Sequence, residues 1–253
     1  MKKTILSARG LCKSFAHNGG QVHVLSNIDL ELFDGDFTVV MGASGSGKST
    51  LLYTLSGMDR ATSGQVIYNE EDIAAMEEKK LAKLRRGDFG FIFQQMHLVS
   101  NLSLYENIVV PGWLNKEQPS AQVKCRAEEL LGQMGISHIK SHLPSQVSGG
   151  EQQRCAIARS VINCPRLLFA DEPTGALNRK NTTEVLNLLT HLNQQGQSIL
   201  MVTHDIRAAL RATRLLYLED GKIAGDMALP AYQPEKERNR EEQVNAWLSS
   251  MEW

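Results

Sequence analysis

One stretch decides the fold: Gly42-Ala43-Ser44-Gly45-Ser46-Gly47-Lys48-Ser49-Thr50, which matches the pattern G-x-x-x-x-G-K-S/T at every fixed position. An apolar run, Phe37–Met41, precedes it and is typical of a buried strand. The residues from Thr50 to Gly57 carry leucines at helical spacing. A strand, a glycine-rich turn and a helix together form a cradle where backbone N–H groups and the positive end of the helix face a phosphate. The sequence therefore predicts a phosphate-binding loop.

Two side chains of this loop carry distinct chemistry. The ammonium group of Lys48 is expected to reach the β- and γ-phosphates of a nucleotide, and the hydroxyl of Ser49 is expected to ligate Mg²⁺. The alternative, a Gly/Ser-rich turn that binds nothing, is disfavoured because the lysine, the hydroxyl and both flanking segments agree with the motif.

Composition narrows the class of protein. The chain has 253 residues, enough for one large domain or two small ones, and its apolar fraction of 42% is ordinary for a globular protein. A formal net charge of −1 argues against binding duplex nucleic acid or an anionic membrane through a global field. The four cysteines form no C-x-x-C pair and indicate reduced thiols. His138 and His142 lack a third ligand nearby, so no metal site is expected there.

We also expect no targeting signal in this sequence. Two lysines near the N-terminus are not followed by the apolar core of a signal peptide, and no run approaches the ~18 apolar residues of a membrane span. We expect a cytosolic protein, or a peripheral one that reaches a membrane through a partner.

Strands alternate with helices along most of the chain, which predicts a parallel, doubly wound α/β core. Residues 4–10 and 22–32 are predicted strands around a turn signal at 17–20, and Ile73 to Arg86 is a predicted helix. The segment from about 89 to 164 is mostly helical and indicates an insertion into the core.

Polar side chains follow three apolar strands. Asp171 and Glu172 end the run that starts at Leu167, and the pair suits one carboxylate near Mg²⁺ and another that polarises water. His204 ends a second strand and Gln94 a third. The alternatives are two solvated loop acids, a capping or core histidine and a loop-capping glutamine. In parallel sheets these strand ends lie at one edge, which favours a shared site.

These motifs, in this order, resemble the ATP-binding subunit of ABC transporters over residues 4–225. Ser148-Gly149-Gly150-Glu151 resembles the family signature, and Gln94 matches the Q-loop. Leu167 to Glu172 matches the Walker B motif with its catalytic glutamate, and His204 matches the H-loop switch. Phe15, which from the residues alone is equally suited to stacking on a base or filling a core, matches the aromatic that stacks on adenine.

The resemblance implies a fold and a set of site residues. The fold is α/β: a P-loop NTPase core with a parallel-sheet RecA-like subdomain, an antiparallel β subdomain and a helical signature subdomain. The implied cofactors are ATP and Mg²⁺. The implied catalytic residues are Glu172, His204 and Gln94; the metal ligands are Ser49, Gln94 and Asp171; the ATP-binding residues are Phe15, Gly42 to Thr50, Ser148, Gly149, Gly150 and Glu151.

It also implies an assembly. In this family two nucleotide-binding domains meet head to tail, with each ATP between the P-loop of one and the signature of the other. A chain with one of each is expected to form a homodimer. The ATP-binding domain is predicted over 1–228 with its helical insertion at about 95–164, and residues 229–253 are a predicted linker and C-terminal amphipathic helix. That helix either packs on its own domain or contacts a partner.

Short stretches, including Asn101 to Asn107, resemble the branch that serves macrolide export, lipoprotein release and bacitracin-type peptide resistance. That branch implies a permease with an extracytoplasmic domain, binding at the cytoplasmic face of the membrane, and no nucleic-acid partner. Met96, Leu98 and Tyr105 follow Gln94 in a loop-rich region and are expected to form part of a groove for a cytoplasmic helix of the permease. Subdomain core is the alternative for these residues. An ATPase that regulates a non-transporting membrane partner in cell division or signalling is the alternative function.

Asn178 departs from the family, which usually has Asp at this position.

Overall fold

The computed structural model describes residues 2–17, 20–251 and 253, the side chain of His17 excepted. The turn predicted at 17–20 lies partly outside the described residues. The chain divides into two compact units. Unit 1 comprises the described residues of Met1–Leu81 and Leu192–Trp253, and unit 2 comprises Ala82–His191.

Strands and helices alternate through most of the described chain. The strands are β1 (Thr4–His17), β2 (Gly20–Phe33), β3 (Phe37–Met41), β4 (Ser63–Tyr68), β5 (Glu71–Asp72), β6 (Phe89–Phe93), β7 (Leu167–Asp171), β8 (Ser198–Val202), β9 (Arg214–Glu219) and β10 (Lys222–Ala228). The helices are α1 (Lys48–Leu55), α2 (Glu78–Gly87), α3 (Leu104–Asn115), α4 (Ser120–Gln133), α5 (Gly149–Val161), α6 (Arg179–Gln194), α7 (Ile206–Ala209) and α8 (Glu237–Ser250). In this part of the chain, no helix combines the length and apolarity that a membrane span requires.

Unit 1 contains an antiparallel sheet in the order β2-β1-β4-β5. The first two strands have 14 residues each and are longer than the strands predicted at 4–10 and 22–32. Their pairing shifts register between Ala8 and Leu11 and again between Lys13 and Ser14. Such β-bulges break the strict alternation of side chains, so the second half of β1 does not have the period that marks a strand in a sequence.

The second sheet of unit 1 has the order β10-β9-β3-β8. Strand β3 pairs in parallel with both β8 and β9, and all five of its residues are buried. Strands β9 and β10 form an antiparallel hairpin. The α/β class and the coexistence of parallel and antiparallel sheets are thus confirmed.

Unit 2 contains the parallel pair β6–β7 and the helices α3, α4 and α5. Their apolar faces form its core, which includes Leu104, Ile108, Val123, Leu131 and Ile157. The helical content predicted between Gln94 and Ser148 is present.

The helix predicted from Ile73 to Arg86 was wrong at its start. A 3₁₀ turn, Ile73–Ala75, comes first, and α2 begins only at Glu78. The Asp72 carboxylate accepts a hydrogen bond from the N–H of Ala74, and Met76 is extended with ψ of 149°. The cap therefore closes a single turn before the chain straightens.

The C-terminal helix α8 packs within unit 1. Val244 and Leu248 are buried, and the Trp247 ring lies against Gly225 of β10. The expected linker before it is also anchored, since the Arg211 guanidinium lies 4.0 Å from the centroid of the buried Tyr232 ring. Arg240 donates to the carbonyls of Pro230 and Ala212. The sequence left open whether this helix packs on its own domain or contacts a partner. These contacts show that it packs within its own unit.

Truncation of Leu248 tests this packing. Leu248→Ala should lower the free energy of unfolding by about 2–5 kcal/mol, because a buried leucine loses its contacts and leaves a cavity. Urea denaturation measures the change, and Asn245→Ala, at an exposed position of the same helix, is the control. Equal stability of the two variants would show that α8 does not pack on unit 1 in solution.

Candidate functional site

Two glycines shape the loop that follows β3. Gly42 has φ of +155°, and a Cβ there would lie 2.2 Å from the carbonyl oxygen of Leu218. Gly47 has φ of +101° at the N-cap of α1, and its Cβ would lie 3.0 Å from the Val24 carbonyl oxygen. A side chain at Gly42 would collide with the Leu218 backbone, and at Gly47 the positive φ and the close Val24 backbone disfavour any residue with a side chain. The chain therefore makes the tight turn that the motif predicts.

Lys48 closes the loop. Its side chain is buried, and Nζ donates hydrogen bonds to the carbonyls of Gly42 at 2.9 Å and Ala43 at 2.8 Å. The buried hydroxyl of Ser46 has no hydrogen-bond partner among the described residues, and the space around Gly45 is open. A cation, an unsatisfied hydroxyl and a helix N-terminus beside open space fit an anionic ligand.

His204 lies at the same edge of the unit 1 sheet as this loop. Strands β3 and β8 are parallel, with Val40 opposite Val202, and the N–H of Thr203 donates to the Val40 carbonyl at 3.1 Å. His204 comes next and is exposed. Asp205 fixes the turn behind it, because its carboxylate caps α7 and holds the Arg207 guanidinium. Within unit 1 the structure thus brings the loop and His204 to one sheet edge.

Gln94, Asp171 and Glu172 lie together at one edge of unit 2. Phe93 pairs with Asp171 at the end of the parallel pair β6–β7, so Gln94 and Glu172 leave the two strands side by side. Asp171 is buried, whereas Gln94 is exposed. Glu172 has φ of +44°, an uncommon backbone conformation for a residue with a side chain and one that tends to occur at functional sites.

Gln153 connects the loops that carry these residues, and sequence reasoning missed it. Its fully buried amide donates from Nε2 to the Pro173 carbonyl at 2.8 Å and to the Phe93 carbonyl at 3.3 Å. One side chain of α5 therefore holds the residue before Gln94 and the residue after Glu172. The available signal was a glutamine on the buried face of a helix, where a polar group needs partners.

The residues of the signature form the start of α5. Ser148 is the N-cap, and its hydroxyl donates to the Glu151 carboxylate at 2.7 Å while the Ser148 N–H donates to the same oxygen at 2.8 Å. These hydrogen bonds from Ser148 lower the pKa of Glu151. A Cβ on Gly150 would lie 2.4 Å from the side-chain carbon Cγ of Asn181. Glu151 thus serves a capping box, and Gly150 allows close packing with α6.

Asn178 caps helix α6. Its side-chain oxygen accepts a hydrogen bond from the N–H of Asn181 at 3.0 Å, and its carbonyl accepts one from Thr182 at 2.9 Å. Asparagine and aspartate are comparable N-caps. The departure at this position therefore preserves the local structure and changes only its charge.

Phe15 of β1 presents its ring to solvent with 43% of its surface exposed, so it does not fill a core. Among the residues that the structure describes, His138 and His142 included, no three His, Cys, Asp or Glu side chains are grouped so that they could hold a metal ion. All four cysteines are free thiols, and burial raises the pKa of Cys155 to about 12.

Comparisons with known proteins agree with this geometry. The ABC transporter family profile matches residues 25–175. The macrolide export ATP-binding/permease protein MacB of Wolinella succinogenes is 42% identical over 229 residues, which cover 88% of this chain but 34% of MacB. The chain thus spans about a third of that relative.

Solved structures are similar over nearly the whole chain. A dimeric post-hydrolysis state of the ATP-binding cassette MJ0796, bound to ADP and Pi, has a TM-score of 0.82 at 33% identity and covers 90% of this chain and 100% of that one. The structure of cbiO1 from Clostridium perfringens, part of the ABC transporter complex cbiONQ, has a TM-score of 0.80 at 27% identity, covering 96% and 93% of the two chains.

Proposed function

The chain belongs to the ABC transporter family, and we propose that it is the subunit that binds and hydrolyses ATP to power a membrane permease. The observation that carries this proposal is the loop at 42–50, where the Lys48 ammonium lies over a glycine turn at the N-terminus of α1. Nucleoside triphosphate is the ligand that such a loop suits best, since the lysine and the backbone N–H groups neutralise the phosphate charge.

The remaining site residues divide the work of hydrolysis. Ser49, Asp171 and Gln94 are oxygen donors that suit Mg²⁺, which neutralises charge on the β- and γ-phosphates when it is bound. Glu172 is the proposed general base that polarises the attacking water. His204 is the proposed contact to the γ-phosphate, through a ring N–H.

We propose that the working form is a homodimer with ATP between the loop of one chain and Ser148, Gly149 and Gly150 of the other. The dimeric structures of the cassette MJ0796 support the dimer itself. In the free chain the Ser148 hydroxyl donates to Glu151, so binding a γ-phosphate requires that proton to be redirected. Glu151 then contributes through the cap that orients Ser148 rather than as a direct ligand.

The permease contact is proposed to be an open cavity of about 370 Å³ in unit 2. Phe91 and Phe93 of β6 line it with their rings parallel at 6.1 Å, and Leu114 on its rim is 59% exposed. Met96, Leu98 and Tyr105, the residues expected from sequence, are half-buried and do not line this cavity. An aromatic floor with an exposed leucine beside the cations Arg85, Arg86 and Arg159 suits a short amphipathic helix at the cytoplasmic face of a permease.

The branch of the family suggests the transported class. MacB is named a macrolide export protein, and its 42% identity supports export as the process. The class that we propose, from the resemblance to this branch, is amphiphiles such as antimicrobial peptides or lipids, in export or resistance. We propose that the permease carries an extracytoplasmic domain, as the resemblance implies.

Two substitutions separate the proposed roles in hydrolysis. Lys48→Ala should weaken ATP binding, because the phosphates lose a charged partner. Glu172→Gln should preserve binding and lower kcat by about 10²–10⁴-fold, the usual cost of removing a general base. Equilibrium binding and phosphate release measure the two effects. Normal turnover by Glu172→Gln would show that Glu172 is not the general base.

The permease contact can be tested by photo-crosslinking in cells. A benzophenone amino acid at position 114 should crosslink to a multi-spanning membrane protein, because Leu114 lies on the cavity rim. The same probe at position 98 is the matched control, and unchanged ATPase activity of both variants shows that they fold. A membrane crosslink from position 98 alone would place the contact where the sequence predicts it instead.

A further inference from the structure

A buried lysine lies against the aromatic ring at the proposed base-binding position. The Nζ atom of Lys13 lies 4.7 Å from the centroid of the Phe15 ring. Lys13 is only 8% exposed, whereas Phe15 is 43% exposed. One face of the ring is therefore occupied by a cation, and much of the ring remains open to solvent.

Lys13 is held firmly in this place. Its Nζ donates to the Asp59 carboxylate and to the Arg60 carbonyl, both at 2.7 Å. The carboxylate balances the charge of the lysine, and the two acceptors fix the position of Nζ. Together they offset the free-energy cost of burying an ammonium group. The ammonium position is thus set by the segment that follows α1.

That segment also binds the strand that carries Phe15. The N–H of Ser14 donates to the Thr62 hydroxyl at 2.9 Å, and the N–H of Thr62 donates to the Cys12 carbonyl at 2.9 Å. The N–H of Asp59 in turn donates to the Tyr53 carbonyl in α1. One continuous set of contacts therefore connects α1, whose N-terminus faces the phosphate loop, with the backbone and ring plane at Phe15.

We propose that Lys13 is a positioning residue for the nucleotide base: its ammonium group fixes one face of the Phe15 ring and leaves the opposite face for the base to stack on. This inference rests on the proposed ATP-binding function. A cation over an aromatic face attracts the ring electrostatically, so the ring keeps its orientation before the base arrives. Affinity gains when a binding surface is ordered in advance.

The proposal makes the effect of Lys13 depend on the base. Lys13 should contribute to binding only through Phe15, and it should contribute nothing to a ligand that has phosphates but no base. A lysine that merely stabilised the fold would affect both kinds of ligand alike.

The experiment compares Mg-ATP with magnesium tripolyphosphate by isothermal titration calorimetry. Lys13→Met keeps the unbranched shape and most of the length of the side chain and removes its charge. It should weaken ATP binding by about 3- to 30-fold, the range expected for a cation–π contact. Tripolyphosphate affinity should stay unchanged, and Lys13→Arg should restore ATP affinity. In the background of Phe15→Ala, Lys13→Met should cause no further loss, which is the non-additivity expected of residues that act as a unit.

Three outcomes would overturn the inference: unchanged ATP affinity in Lys13→Met, an equal loss of affinity for tripolyphosphate, or additive effects of the two substitutions. If Lys13→Met does not fold, Asp59→Asn replaces it, since it keeps the cation but weakens its anchor; it should then reduce ATP affinity selectively, and an unselective loss contradicts the proposal. Failure of the unsubstituted protein to bind ATP would instead reject the proposed function itself.

Discussion

The approach of the Gly42 backbone to the Leu218 carbonyl is the constraint on which the proposed site depends. A Cβ at this position would lie 2.2 Å from that oxygen, so only glycine lets the chain leave β3 in this direction. The turn then allows Lys48 to reach back over the loop to the carbonyls of Gly42 and Ala43. The phosphate cradle is therefore a property of the backbone, and the charged side chain completes it.

Parallel strand register places the other polar groups. Because Val40 lies opposite Val202, the residues beyond β3 and β8 emerge at one edge of unit 1, and His204 is among them. Because Phe93 lies opposite Asp171, Gln94 and Glu172 emerge together in unit 2. Residues far apart in sequence become neighbours through backbone hydrogen bonding, and the loops they occupy are then fixed by single side chains such as Gln153.

The sequence predicted the features that depend on local pattern. The phosphate-binding loop, the α/β class, the strand that ends at Asp171 and the strand that precedes His204 follow from apolar runs bounded by characteristic residues. The second half of β1 did not, because bulges disrupt its alternation. The bridge made by Gln153 and the cation beneath Phe15 depend on contacts between distant segments, which one sequence does not reveal. The unit 2 cavity depends on how helices pack against β6, which a single sequence does not reveal either.

The central claim, that ATP is enclosed between the loop of one chain and the signature of another, is tested most directly by the mass of the ATP-bound protein. Glu172→Gln should trap ATP, and multi-angle light scattering with bound-nucleotide analysis should then show two chains holding two ATP molecules in Mg-ATP and single chains in Mg-ADP. Adding Ser148→Arg should abolish this dimer, since the signature would no longer accept a phosphate. A stable monomer that retains ATP, or a dimer that persists with Ser148→Arg, would contradict the account.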